Sequence, residues 1–161
     1  MFSGEQIATL LGRCGISHVV TVPDSTIGGW EEAIAASGIR LVRVCREGEA
    51  WAVAAGLFLG GKAPLVLIQC TGLFESGDAL RNVLHDWKLS IPSIIGYRSY
   101  LNQDALPGDT CLQFTEPILR AWEIDYRLIT RPEQLEAMTG HLQGWRAAEQ
   151  PRAVLVAEGK A

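Results

Sequence analysis

The chain has 161 residues, 48% of them hydrophobic and 20% charged, with a formal net charge of −4. That length suits one sizeable core, and the balance is that of a soluble globular chain rather than a disordered one. No basic run or patch is present, which argues against nucleic acid as a partner, and the most apolar stretch, residues 50–59, is too short to span a bilayer and contains Gly56.

Two hydrophobic periodicities alternate along the chain. Ser3 with Gln6 three residues on reads as a capping box, followed by a helical stripe of Ile7, Leu10, Leu11 and Cys14 that Gly15 ends. No basic segment followed by an apolar run opens the sequence, so no secretory signal is expected and the cytoplasm is the expected compartment. A β-branched run at 18–22 predicts the first strand, halted by Pro23-Asp24-Ser25. A helix follows at 27–36, a second strand at 39–45, and an alanine-rich helix from Glu47 to Leu59 closed by Gly60-Gly61. The nearly continuous apolar run 64–70 predicts a strand buried on both faces. Thr71 to Phe74 reads as a turn, with a helix from Ser76 or Asp78 to about Lys88 and a fourth strand at 92–97.

A polar stretch, 99–110, is long enough to suggest a functional loop. A helix at 115–122 is expected with Pro117 in its first turn, then a strand at 126–129. Pro132 opens a last helix carrying Leu135, Met138, Leu142 and Trp145, and the final strand spans 152–157. Strands alternating with helices in this way predict an α/β fold. It is read as one doubly wound domain over residues 1–161, a six-stranded, mostly parallel sheet flanked by helices. Ligands bind such sheets beyond the carboxyl ends of the strands, so the turns at 23–25, 46–49, 71–76 and 98–110 are the places for chemistry.

Glu47 starts a helix directly after the second strand. Alone, such a carboxylate complements the helix dipole. The run of Gly48, Ala50, Ala52, Ala54, Ala55 and Gly56 behind it, however, lets the helix pack closely and would draw the acid into a tight interface. Glu49 is the rival, pointing about 200° away on the same helix. Asp24 and Ser25 are good N-caps, and their position at the end of the first strand also allows them to face a substrate. Arg98 ends the fourth strand, as a surface arginine or as the cation an anionic substrate needs. Cys45 and Cys70 read as small buried hydrophobes, and no cysteine spacing suggests zinc or disulfides. His85 is the one histidine worth placing near a site, while Trp30 and Trp51 suit either core or partner contacts.

Arg46-Glu47-Gly48-Glu49-Ala50-Trp51, the small-residue helix through Gly56 and Leu57, and then Gly61-Lys62 with an apolar strand together resemble the pyrimidine-binding domain of thiamine-diphosphate enzymes. Val22-Pro23-Asp24-Ser25, Gln69-Cys70-Thr71-Gly72-Leu73 and Thr115-Glu116-Pro117 resemble the sulfopyruvate and phosphonopyruvate decarboxylase group, whose members are often split into two chains; this chain is similar to the first, alpha, subunit. The resemblance implies that Glu47 binds ring nitrogen N1′ of the cofactor and shares a proton there. That proton favours the imino tautomer, which activates the thiazolium carbon for attack on a 2-oxo acid. Thr71, Gly72 and Leu73 are the implied further cofactor contacts, and Asp24, Ser25 and Arg98 the implied substrate contacts. Phe74 and Glu75 depart from the family pattern, where a bulky aromatic and an acid could narrow the pocket or change its substrate, so the particular 2-oxo acid stays open.

The Gly-Asp-Gly motif that holds the diphosphate and Mg²⁺ in this family does not occur in the chain, nor does a Walker A loop or a Rossmann fingerprint. The expected partner is therefore a beta subunit carrying the diphosphate and Mg²⁺ domain, in an α2β2 or larger assembly, with the apolar helix 50–59 at the interface. A carboligase subunit of acetolactate-synthase type, a catalytically silent pyrimidine-type partner and a flavodoxin-like binding module are the competing readings. Retention of Glu47 argues against the silent partner, and the missing phosphate loop argues against the flavodoxin-like module.

Overall fold

The structure, a computed structural model, describes residues 2–25 and 27–159. Six strands form one sheet: β1 (His18–Thr21), β2 (Arg40–Arg43), β3 (Pro64–Gln69), β4 (Ser93–Tyr97), β5 (Asp125–Ile129) and β6 (Arg152–Ala157). They lie in the order β2-β1-β3-β4-β6-β5, and every neighbouring pair is parallel. Burial follows that order. β3, β4 and β6 are buried almost throughout, whereas the edge strands β2 and β5 carry exposed residues. Continuous apolar runs are what two covered faces demand.

The helices divide between the faces. α1 (Gly4–Arg13), α2 (Glu31–Ala36) and α6 (Leu135–Leu142) bury Ile7, Leu10, Ile34, Met138 and Leu142 against Val19, Leu65, Ile94 and Val154. α3 (Glu47–Leu59), α4 (Cys70–Arg81) and α5 (Thr110–Ala121) bury Trp51, Leu73, Leu80 and Leu119 against Val20, Val66, Ile95 and Leu155. Alternate residues of one strand thus feed opposite cores, as the pleat requires. The chain leaves β1 towards β2 on one side and returns to β3 on the other. The carboxyl ends of β1 and β3 therefore flank the crevice where ligands bind in open parallel sheets. Among the described residues no helix is long and apolar enough to cross a membrane.

The capping box at Ser3 and Gln6 is present, with both reciprocal bonds. Several expectations are corrected. Residues 71–74 are not a turn: α4 begins at Cys70, directly after β3, and breaks at Gly77, whose φ is 29° and ψ −107°. The helix expected from Ser76 or Asp78 is the part beyond that break. Pro117 lies inside α5 rather than in its first turn, because Asp109 caps the helix earlier by accepting the Cys111 N–H at 2.8 Å. The second helix is split into a 3₁₀ turn, Ile27–Trp30, and α2. Trp145 belongs to a separate 3₁₀ turn after α6. Cys45 is exposed beyond the end of β2, whereas Cys70 and Cys111 are buried.

Candidate active site

α3 opens without a side-chain cap of its own from Arg46. Orphan N–H groups at a helix start need acceptors, and two acids supply them here. Glu75 of α4 accepts the Gly48 N–H at 2.8 Å, and the Arg46 guanidinium donates to the same carboxylate at 2.5 Å. The Gly48 N–H first and Arg46 second hold the Glu75 carboxyl below the usual carboxylate range. Glu49 reaches back to accept the Cys45 N–H at 3.0 Å. Both acids are thereby committed to the helix start, and Glu47 is the acid left over from that duty.

Glu47 is half-buried and lies against Gly72 in the first turn of α4. A Cβ added at Gly72 would sit 2.4 Å from Glu47 Cγ and 2.7 Å from Oε1. Only glycine at position 72 accommodates the carboxylate where it stands. A short chain of hydrogen bonds behind Gly72 holds the two helices together. The buried Trp51 indole donates to Ser76 Oγ at 3.0 Å, and Ser76 Oγ donates to the Gly72 carbonyl at 2.6 Å. Trp51 and Trp30 are both core residues, 1% and 3% exposed.

Thr71 is exposed beside Gly72, whereas the Leu73 side chain is fully within the core. Phe74 packs on the same core, and Glu75 caps α3. His85 lies at the opposite, amino-terminal edge of the sheet, in the π-helical turn Asn82–Asp86 that follows α4, and its Nε2 has no hydrogen-bond partner among the described residues.

A second group gathers beyond β1, β4 and β6. Asp24 Oδ1 accepts the Ile27 N–H at 2.9 Å, capping the 3₁₀ turn, and Ser25 beside it is exposed. Arg98 follows β4 and is exposed. Glu158 follows β6 and is 4% exposed. Burial, and after it the Asp24 carboxylate, push the Glu158 carboxyl up to about 7, while the Arg98 guanidinium opposes them. Sequence reading missed Glu158. Its faint signal is the apolar run 153–157 ending in a lone acid. Among the described residues no three His, Cys, Asp or Glu side chains converge as metal ligands would.

Residues 1–95 match the family described as thiamine pyrophosphate enzyme, N-terminal TPP binding domain, and the chain belongs to that family. It is 28% identical over 141 residues to the sulfopyruvate decarboxylase subunit alpha of Methanothermobacter thermautotrophicus, across 87% of this chain and 86% of that protein. It is 30% identical over 96 residues to the subunit of the same name from Methanococcus maripaludis, across 60% of this chain and 58% of that one. Benzoylformate decarboxylase from Polynucleobacter necessarius shares the fold with a TM-score of 0.70 at 21% identity, over 98% of this chain and 30% of that one. The 2-oxoglutarate:ferredoxin oxidoreductase of Magnetococcus marinus does so with a TM-score of 0.61 at 14% identity, over 97% and 28%. The chain thus spans less than a third of either of these longer chains.

Proposed function

We propose that the chain is the pyrimidine-binding, alpha subunit of a split thiamine-diphosphate-dependent 2-oxo acid decarboxylase acting on an anionic substrate such as sulfopyruvate or phosphonopyruvate. One observation carries the reading. Of the three acids around the start of α3, Glu49 and Glu75 are tied to backbone N–H groups, and Glu47 is the one left over, held against Gly72 where a ring could approach it. Family membership and the likeness to two sulfopyruvate decarboxylase alpha subunits support the assignment of substrate and cofactor.

The residues present fit the aminopyrimidine end of the cofactor. Glu47 would take ring nitrogen N1′ and share a proton with it, and Gly72 keeps the carboxylate in register for that bond. Thr71 and the backbone of Gly72 and Leu73 would face the ring. When bound, the cofactor supplies the electron sink for loss of CO₂. Asp24, Ser25 and Arg98, at the carboxyl edge, would meet the substrate, with Arg98 as counter-charge to its acidic group. The diphosphate and Mg²⁺ fall to a beta subunit. The outer face of α3, where Ala52, Gly56 and Leu59 are exposed, is the surface that would meet this partner in an α2β2 or larger assembly.

The test is co-production with a chain that carries the diphosphate-binding domain. CO₂ release is then assayed from sulfopyruvate, phosphonopyruvate and pyruvate, with thiamine diphosphate and Mg²⁺. Release that requires both chains and favours an anionic 2-oxo acid is expected. Full activity of the partner alone, or no release from any of the three by the assembled pair, would overturn the reading.

A further inference from the structure

Glu158 is the acid that this mechanism leaves unused. Its backbone is fully engaged: the N–H donates to the Tyr97 carbonyl at 3.0 Å, and the carbonyl accepts the Leu101 N–H at 3.0 Å. The residue is 4% exposed, and its side chain is folded over Gly96 of β4, where an added Cβ would stand 1.9 Å from Oε1 and 2.8 Å from Cδ. Oε1 has no hydrogen-bond partner among the described residues. A buried polar oxygen without a partner is uncommon, and its position suggests what is missing. Glu158 lines a cleft of about 570 Å³ together with Arg98, Asn102 and Leu106, at the carboxyl edge of the sheet.

We propose that Glu158 and Arg98 together receive an oxyanion group of the substrate, the protonated carboxyl donating a hydrogen bond and the guanidinium supplying the counter-charge. The proposal rests on the reading of the chain as a decarboxylase subunit for an anionic 2-oxo acid and adds the group that selects it. A sulfonate carries no proton of its own near neutral pH, so a hydrogen bond to it must use a proton held by the protein. Asp24 and Arg98 are the charged groups that face Glu158, and Arg98 also helps to lower the Asp109 carboxyl. Burial and Asp24 keep the proton on Glu158 up to about pH 7. Asp24 itself already accepts the Ile27 N–H. Above that pH Glu158 becomes an anion, repels the incoming oxyanion, and binding of the acidic group weakens. By linkage, binding of the oxyanion must raise the pH at which Glu158 loses its proton.

Two measurements test this. In the full chain labelled with ¹³C at glutamate side-chain carboxyls, the resonance lost in Glu158→Gln is expected to titrate near neutral pH. Its midpoint should move up by about one unit when inorganic sulfate is added. In the two-chain enzyme, KM for sulfopyruvate is expected to rise about tenfold per pH unit above neutrality, KM for pyruvate to lack that rise, and Glu158→Gln to abolish it. A midpoint near that of an ordinary glutamate, or one that sulfate leaves in place, overturns the proposal. So does a pH profile for sulfopyruvate that matches the pyruvate profile; CO₂ release would then persist and leave the decarboxylase reading standing. Absence of CO₂ release from every 2-oxo acid, with the sulfate-induced move intact, instead removes the decarboxylase reading and keeps the oxyanion site.

Discussion

Replacing Glu47 by glutamine is expected to lower CO₂ release by the two-chain enzyme about 10²–10⁴-fold, the range that positioned proton transfer contributes to catalysis. Glutamine keeps the shape and one carbonyl oxygen but holds no titratable proton for N1′. The protein should remain folded, because the helix start depends on Glu75 and Glu49 for its acceptors. Gly72→Ala is expected to reduce release in the same way with Glu47 retained, since the new methyl group would lie 2.4 Å from Glu47 Cγ and must push the side chain aside. Parallel loss in both variants, with circular dichroism spectra unchanged, ties activity to the placed carboxylate. Wild-type rates in Glu47→Gln would contradict its role.

The second large effect concerns stability against pH. Glu158 titrates at about 7 in the folded chain against 4.5 for an ordinary glutamate. A raised acid favours folding fully below the lower of these values, and that contribution is lost as pH rises from there through about 7. The difference corresponds to roughly 3 kcal/mol, because one pKa unit is worth about 1.4 kcal/mol. Glu75 and Asp109 have lowered values and act in the opposite sense, losing their contribution as the medium turns acid. The clean observable is therefore the stability of the wild type minus that of Glu158→Gln, from urea unfolding at mildly acidic and mildly alkaline pH. The wild type should lose ground to the variant as pH rises. A difference constant across that range would show that Glu158 is an ordinary acid.

Much of the fold was legible because its strands alternate with helices and its central strands are unbroken apolar runs. The fold class and the parallel sheet follow from that pattern, and α3 and β6 begin and end where glycines and apolar stretches mark them. The start of α4 was not legible. Cys70-Thr71-Gly72 carries small and polar residues that read as a turn, and the helix forms there because Ser76 and Trp51 tie Gly72 into the core. Pro117 misplaced α5 by the same logic: a proline favours a first turn, but Asp109 capped the helix earlier and the interior tolerated it. Of the proposed site, the sequence singles out Glu47 by its place before a small-residue helix and by the family resemblance. Its preference over Glu49 gains a physical reason from the hydrogen bonds that occupy Glu49 and Glu75. Glu158 was overlooked because an acid before a glycine at the end of a strand looks like a turn residue. Only the approach of Gly96 in three dimensions reveals that it is enclosed.

The central claim is that Glu47 bonds the cofactor's pyrimidine at the boundary between two chains. The most direct measurement is a crystal structure of the two-chain complex with thiamine diphosphate and Mg²⁺. The account predicts a Glu47 carboxylate oxygen about 2.6–3.2 Å from N1′, beside Gly72, with the diphosphate held by the partner. A cofactor bound with its pyrimidine away from Glu47, or a Glu47 side chain turned to open solvent in that complex, would contradict it.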